Sequence, residues 1–130
     1  MRLYHLGLKS SVVGDMNAPH LGAGDLFIAS AGPGQFATVG ALLGVARRDG
    51  ARTLLVTAEP GGGCAQLADL LLVVPAQTMA RDARQPTSVL PMGSLYEGAL
   101  FVLFEVMVLG LRDRLGVSAE AMRGRHTNLE

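Results

Sequence analysis

One hundred and thirty residues suffice for one domain with a buried core, and a chain that is 49% hydrophobic is not disordered by composition. Eleven basic residues balance eleven acidic ones. The broad basic face that a nucleic-acid partner requires is therefore not expected, which leaves room only for a compact basic cluster at a small-molecule phosphate.

The single cysteine, Cys64, excludes an internal disulfide and leaves a cysteine-based zinc site without ligands. No metal and no cofactor is expected. Residues 1–7 carry neither an apolar h-region nor a small-residue cleavage site, and with cysteine so sparse a cytoplasmic location is expected.

Met1-Arg2-Leu3-Tyr4-His5-Leu6-Gly7 reads as the last turns of a helix already under way. Residues 9–13 are a strand candidate. Residues 26–30 are a second, because Gly22-Ala23-Gly24-Asp25 supplies a turn before them and Ala31-Gly32-Pro33-Gly34 stops them. A helix is predicted over 35–49, where Val39, Leu42, Leu43 and Ala46 share one face and Gly50 stands at the C-terminal cap. Strands follow at 52–57 and at 70–74, with a short helix at 64–68 between them. Unbroken apolar runs without alternation predict strands covered on both faces, and with the intervening helix they predict βαβ units.

Residues 77–90 lack any period and read as a long loop, a feature more often functional than idle in a compact domain. The longest helix is predicted over 94–115, with Ser94 and Glu97 spaced as a capping box. Its apolar stretch, 99–111, is shorter than the ~20 residues of a membrane span and is interrupted by Glu105, so it reads as core and no membrane partner is expected. A last short helix, 118–123, has Ser118 as its N-cap. Residues 1–130 read as one α/β domain.

Several of these residues together resemble a known family. Gly22-Ala23-Gly24-Asp25-Leu26-Phe27-Ile28, Gly50-Ala51-Arg52, Leu54-Leu55-Val56-Thr57-Ala58 and Leu67-Ala68-Asp69 look like the middle of a sugar-isomerase (SIS) domain. Pro91-Met92-Gly93-Ser94-Leu95-Tyr96-Glu97 and the tail Arg125-His126-Thr127-Asn128-Leu129-Glu130 are similar to its 6-phospho-3-hexuloisomerase branch, in the form found in plants and some bacteria. The resemblance implies a three-layer αβα sandwich on a short, doubly wound parallel sheet. It implies interconversion of 3-hexulose 6-phosphate and fructose 6-phosphate, and a dimer or tetramer with active sites at subunit boundaries. It also implies that a first strand and a second glycine-serine loop normally precede the point where this chain begins.

The family's phosphate turn runs Ser-Gly-Ser-Gly-Glu-Thr, whereas here the aligned stretch is Ala31-Gly32-Pro33-Gly34-Gln35-Phe36. Pro33 brings neither N–H nor hydroxyl, and Phe36 stands for the threonine. The expected phosphate cradle is therefore Gly32, Gly34 and Gln35, with Ser30 and Thr38 reaching in at the helix N-terminus.

Glu97 is the candidate general base, since moving a carbonyl between adjacent carbons takes a proton from one and returns it to the next through an enediolate. Its spacing from Ser94 equally suits a purely structural cap. His126 is the candidate proton shuttle, because imidazole titrates near neutrality; read alone, it is a tail residue. Gly93 and Ser94 sit where a helix N-terminus would meet an anion, and Arg125 is a candidate phosphate partner. Cys64 reads as a small buried residue, and Met92, Met107 and Met122 as core filler. Two functions remain open on the residues: an isomerase of phosphorylated ketohexoses, or a sugar-phosphate-binding module without catalysis.

Overall fold

A computed structural model describes residues 1–84 and 86–129. The chain divides into two compact units, residues 20–100 and residues 1–19 with 101 onward.

The larger unit is built on a parallel three-stranded sheet in the order β1 (Leu26–Ser30), β2 (Arg52–Thr57), β3 (Leu70–Val73). Register pairs Phe27 with Thr53, Ala29 with Leu55, and Leu55 with Leu71. Helix α2 (Ala37–Arg48) makes the crossover from β1 to β2. Its Leu43 and Ala46 close onto Phe27, Ala31 and Leu55, with Cys64 and Ala65 of a 3-10 helix (Gly63–Leu67) completing the cluster. Leu43, Leu55 and Cys64 are fully buried, so the predicted βαβ packing and the buried cysteine are both present.

Local chemistry explains the ends of these elements. Helix α2 stops at a Schellman motif: the Gly50 N–H donates to the Arg47 carbonyl and the Ala51 N–H to the Ala46 carbonyl, with Gly50 at φ +86°. Asp69 locks the entry to β3 onto β2, its carboxylate accepting from the Thr53 N–H at 2.8 Å and the Thr53 hydroxyl at 2.9 Å. Those bonds hold the Asp69 carboxyl below its usual range.

The smaller unit holds α1 (Arg2–His5), most of α3 (Ser94–Leu115) and α4 (Ala119–Gly124). Ser118 caps α4 as expected, accepting from the Ala121 N–H at 3.0 Å. Arg125 donates to the His5 carbonyl at 2.9 Å, and its guanidinium lies against Gly7, the left-handed residue that ends α1.

Five expectations need correction. Residues 9–13 form no strand and are exposed, because no neighbouring strand offers them a ladder. Helix α2 begins at Ala37 rather than residue 35, with Phe36 in extended conformation as its N-cap. Strand β3 is not covered on both faces among the described residues: Leu70, Leu71 and Val73 all remain exposed. Helix α3 is not a core helix; Phe101, Val102, Val106 and Leu109 are exposed, and its full 22 residues are long and apolar enough to cross a membrane. Met92 is half exposed and stands at φ +52°, so it turns the chain instead of filling the core.

Candidate functional site

The glycine turn 31–36 sits at the carboxyl end of β1 and is held from three sides within the larger unit. From β2, the buried Thr57 hydroxyl donates to the Ala31 carbonyl at 2.7 Å and accepts from the Glu59 N–H at 3.0 Å. From below, the Gly34 carbonyl accepts from the Cys64 N–H. From the head of α3, the Tyr96 ring lies so close to Gly32 that an added Cβ would stand 2.8 Å from two ring carbons. The Tyr96 hydroxyl meets the Ser30 hydroxyl at 3.1 Å. Burial pushes the Tyr96 phenol above its usual range, with the Ser30 contact opposing, so the group stays protonated at neutral pH. Gly34 has φ +85°, and an added Cβ would meet Glu59 and Gly62. Glycine is required here for both conformation and space.

Ser30, Gly32, Gly34, Gln35 and Thr38 are thus gathered on one turn and the first turn of α2. The Gly34 N–H is spent on the Ala31 carbonyl, whereas the first-turn amides of α2 meet no side-chain cap, because Phe36 offers none. Gln35 turns its amide oxygen toward the Cys64 thiol at 3.6 Å.

At the head of α3 the capping box does not form. The first helical bond runs from the Glu97 N–H to the Gly93 carbonyl, which makes Gly93 the N-cap and Ser94 the first helical residue. The Ser94 N–H is already used by the Pro91 carbonyl. The Glu97 carboxylate is exposed and has no hydrogen bond among the described residues. The structural explanation that its spacing suggested is therefore absent.

His126 and Arg125 belong to the smaller unit. The His126 ring lies 5.0 Å from that of the buried His5, and its Nδ1 is 3.1 Å from the Thr127 carbonyl oxygen. Glu130 of the tail motif lies outside the described residues. No group of three His, Cys, Asp or Glu that could hold a metal is found among the described residues.

Several residues of this region carry no motif. An open cleft of about 540 Å³ is lined by Pro33 of the turn, by Glu59, Gly61 and Gly62 after β2, and by Ala80, Arg81 and Arg84 of the 77–90 loop. Arg81 is ion-paired with Glu59. The buried Gln77 organises the rest of that loop: its Oε1 accepts from the Thr87 and Ser88 N–H groups at 2.7 and 3.1 Å, and its Nε2 donates to the Leu90 and Met92 carbonyls. Tyr96, Thr57 and Gln77 were missed because their partners are remote in sequence. Only the loop's length and lack of period pointed toward it.

No family model matches the chain. It is 36% identical over its whole length to 3-hexulose-6-phosphate isomerase of Methylomonas aminofaciens, covering 71% of that protein. It is 38% identical to the protein of the same name from Mycobacterium gastri, covering 65% of it. Among solved structures, a Methanococcus jannaschii protein whose crystal structure was taken to infer 3-hexulose-6-phosphate isomerase function superposes with TM-score 0.87. That comparison is at 26% identity and covers 99% of this chain and 68% of the other. Identity of 36% over the whole chain, to a relative of which the chain covers 71%, places the chain in the 3-hexulose-6-phosphate isomerase family.

Proposed function

We propose that the protein interconverts 3-hexulose 6-phosphate and fructose 6-phosphate. The observation that carries this is the 36–38% identity, over all 130 residues, to two proteins named for that activity. The uncapped Glu97 carboxylate beside Tyr96 supports it.

In this reading the phosphate is held at the head of α2, by the first-turn amides with Gly32, Gln35, Ser30 and Thr38, while Gly34 shapes the turn through its positive φ instead of donating; Gly93, Ser94 and Arg125 are further candidates. Glu97 takes the proton from C3 of fructose 6-phosphate, and the electron pair forms a C2–C3 enediolate. The same carboxyl then returns a proton to C2, while His126 moves the hydroxyl proton from O3 to O2. The carbonyl has shifted by one carbon, and the atoms and electrons balance within the substrate. No external oxidant or reductant is called for.

Residues 1–130 are taken as one domain of a homo-oligomer, dimer or tetramer, in a soluble, cytoplasmic setting. The exposed stripe Val102, Val106 and Leu109 on α3 supports burial against a second copy. Glu105 on the same helix pairs with Arg2 at 3.0 Å, a charge pair ill suited to a bilayer interior.

Conversion of fructose 6-phosphate by the purified chain, followed by NMR, tests the reading. Appearance of the 3-hexulose is expected. Thermal stabilisation by the sugar phosphate without conversion would instead favour the binding module that the altered turn, Pro33 and Phe36, brings to mind.

A further inference from the structure

The turn that heads α2 is poorer in donors than a phosphate site normally is: Pro33 lacks an N–H, Phe36 lacks a hydroxyl, and the Gly34 N–H is turned inward. Yet the cleft that Pro33 lines is also lined by two arginines from a different part of the chain. Arg81 and Arg84 come from the 77–90 loop, three residues apart, with the Arg84 N–H bonded to the Arg81 carbonyl. The cleft also holds one lining carboxylate residue, Glu59, whose N–H donates to the Thr57 hydroxyl and which packs where a side chain on Gly34 would have to go.

We infer that Arg81 and Arg84 form the phosphoryl-recognition pair of this protein, supplying from the loop the donors that the glycine turn has lost, with Glu59 holding Arg81 in place until an anion arrives. The inference rests on the sugar-phosphate reading above and names the specificity residues of that same site.

The chemistry is direct. A guanidinium presents five N–H donors in a planar fork that matches a phosphate, and such charge-assisted bonds are about twice as strong as neutral ones. Glu59 engages one terminal nitrogen of Arg81, which leaves the remaining donors of that fork available. Arg84 has no hydrogen-bond or ion-pair partner for its side chain among the described residues and lines the same cleft. Glu59 offsets one of the two positive charges, so the cleft stays net positive. Gly61 and Gly62 on the floor leave the space without side chains. Because Glu59 competes with the incoming phosphate for Arg81, its removal must raise phosphate affinity, an outcome opposite in sign to simple loss of a structural contact.

The full chain and its Arg81→Gln, Arg84→Gln, double and Glu59→Gln variants would be compared in two assays. These are inorganic phosphate binding by calorimetry, and steady-state turnover of fructose 6-phosphate. Both arginines are exposed, so the variants are expected to fold, which circular dichroism would check. Each single arginine variant is expected to weaken phosphate binding and raise KM roughly tenfold, the double variant more, with kcat changed by less than about threefold. Glu59→Gln is expected to tighten phosphate binding several-fold.

Unchanged phosphate affinity and KM in the double variant, with normal turnover by the parent chain, would overturn the arginine assignment and leave the isomerase reading standing. Arginine-dependent phosphate binding by a parent chain that turns over no sugar phosphate would do the reverse. A parent chain that binds no phosphate at millimolar concentration would overturn the assignment.

Discussion

At the carboxyl end of β2, the side chain of Thr57 serves two backbone groups at once: it donates to the Ala31 carbonyl and accepts from the Glu59 N–H. Thr57→Val keeps the shape and removes both bonds, leaving buried polar groups unpaired. A loss of about 1–3 kcal/mol in urea unfolding is expected, together with a raised KM, because that hydroxyl holds the glycine turn through the Ala31 carbonyl. Asp69 gives a pH prediction. Its folded-state carboxyl is held low by the Thr53 bonds, so its contribution is fully present above the unfolded carboxylate pKa, near ~3.9. The contribution is lost as pH falls through the lower folded value. Asp69→Asn is therefore expected to lower stability at neutral pH and to flatten the acid limb of the stability curve, as read by thermal melts from pH 7 to pH 2. For Glu97, replacement by Gln preserves size and hydrogen-bonding capacity but removes the base. Turnover should fall about 10²–10⁴-fold while phosphate binding stays intact.

Helices and strands were readable wherever local signals agreed. Strands β1 and β2 were located to the residue because turn chemistry brackets apolar runs on both sides, and α2 ended where Gly50 said it would. The errors arose where a local pattern had two outcomes decided elsewhere in the chain. Val12 and Val13 look like a strand, but no partner strand reaches them. Ser94 and Glu97 have capping-box spacing, but Met92 at φ +52° and the Pro91 carbonyl start the helix one residue earlier in the capping frame. The candidate phosphate turn was legible through its glycines; its arginine and tyrosine neighbours were not, since no spacing rule connects residue 33 with 81 or 32 with 96. The 77–90 loop owes its shape to Gln77, whose amide satisfies four backbone groups. Gln77→Leu should abolish hydrogen-exchange protection of the Thr87 and Ser88 amides while protection in β2 persists. If those two amides keep their protection, some other group holds the loop.

For the molecule as a whole, the exposed apolar residues of α3 and β3 are too many for an isolated chain, and a second copy is the proposed cover of the α3 stripe. Light scattering at micromolar concentration should show a dimer or larger species, and Val106→Asp with Leu109→Asp should shift it toward monomer. A monomeric parent chain would refute that assignment. The central claim concerns one C–H bond. Incubated in deuterated water, fructose 6-phosphate should acquire deuterium at C3 as it equilibrates with the 3-hexulose, and Glu97→Gln should reduce the exchange to the buffer rate. No incorporation above buffer with the parent chain, or equal incorporation with Glu97→Gln, would contradict the assignment of this carboxylate as the base of the reaction.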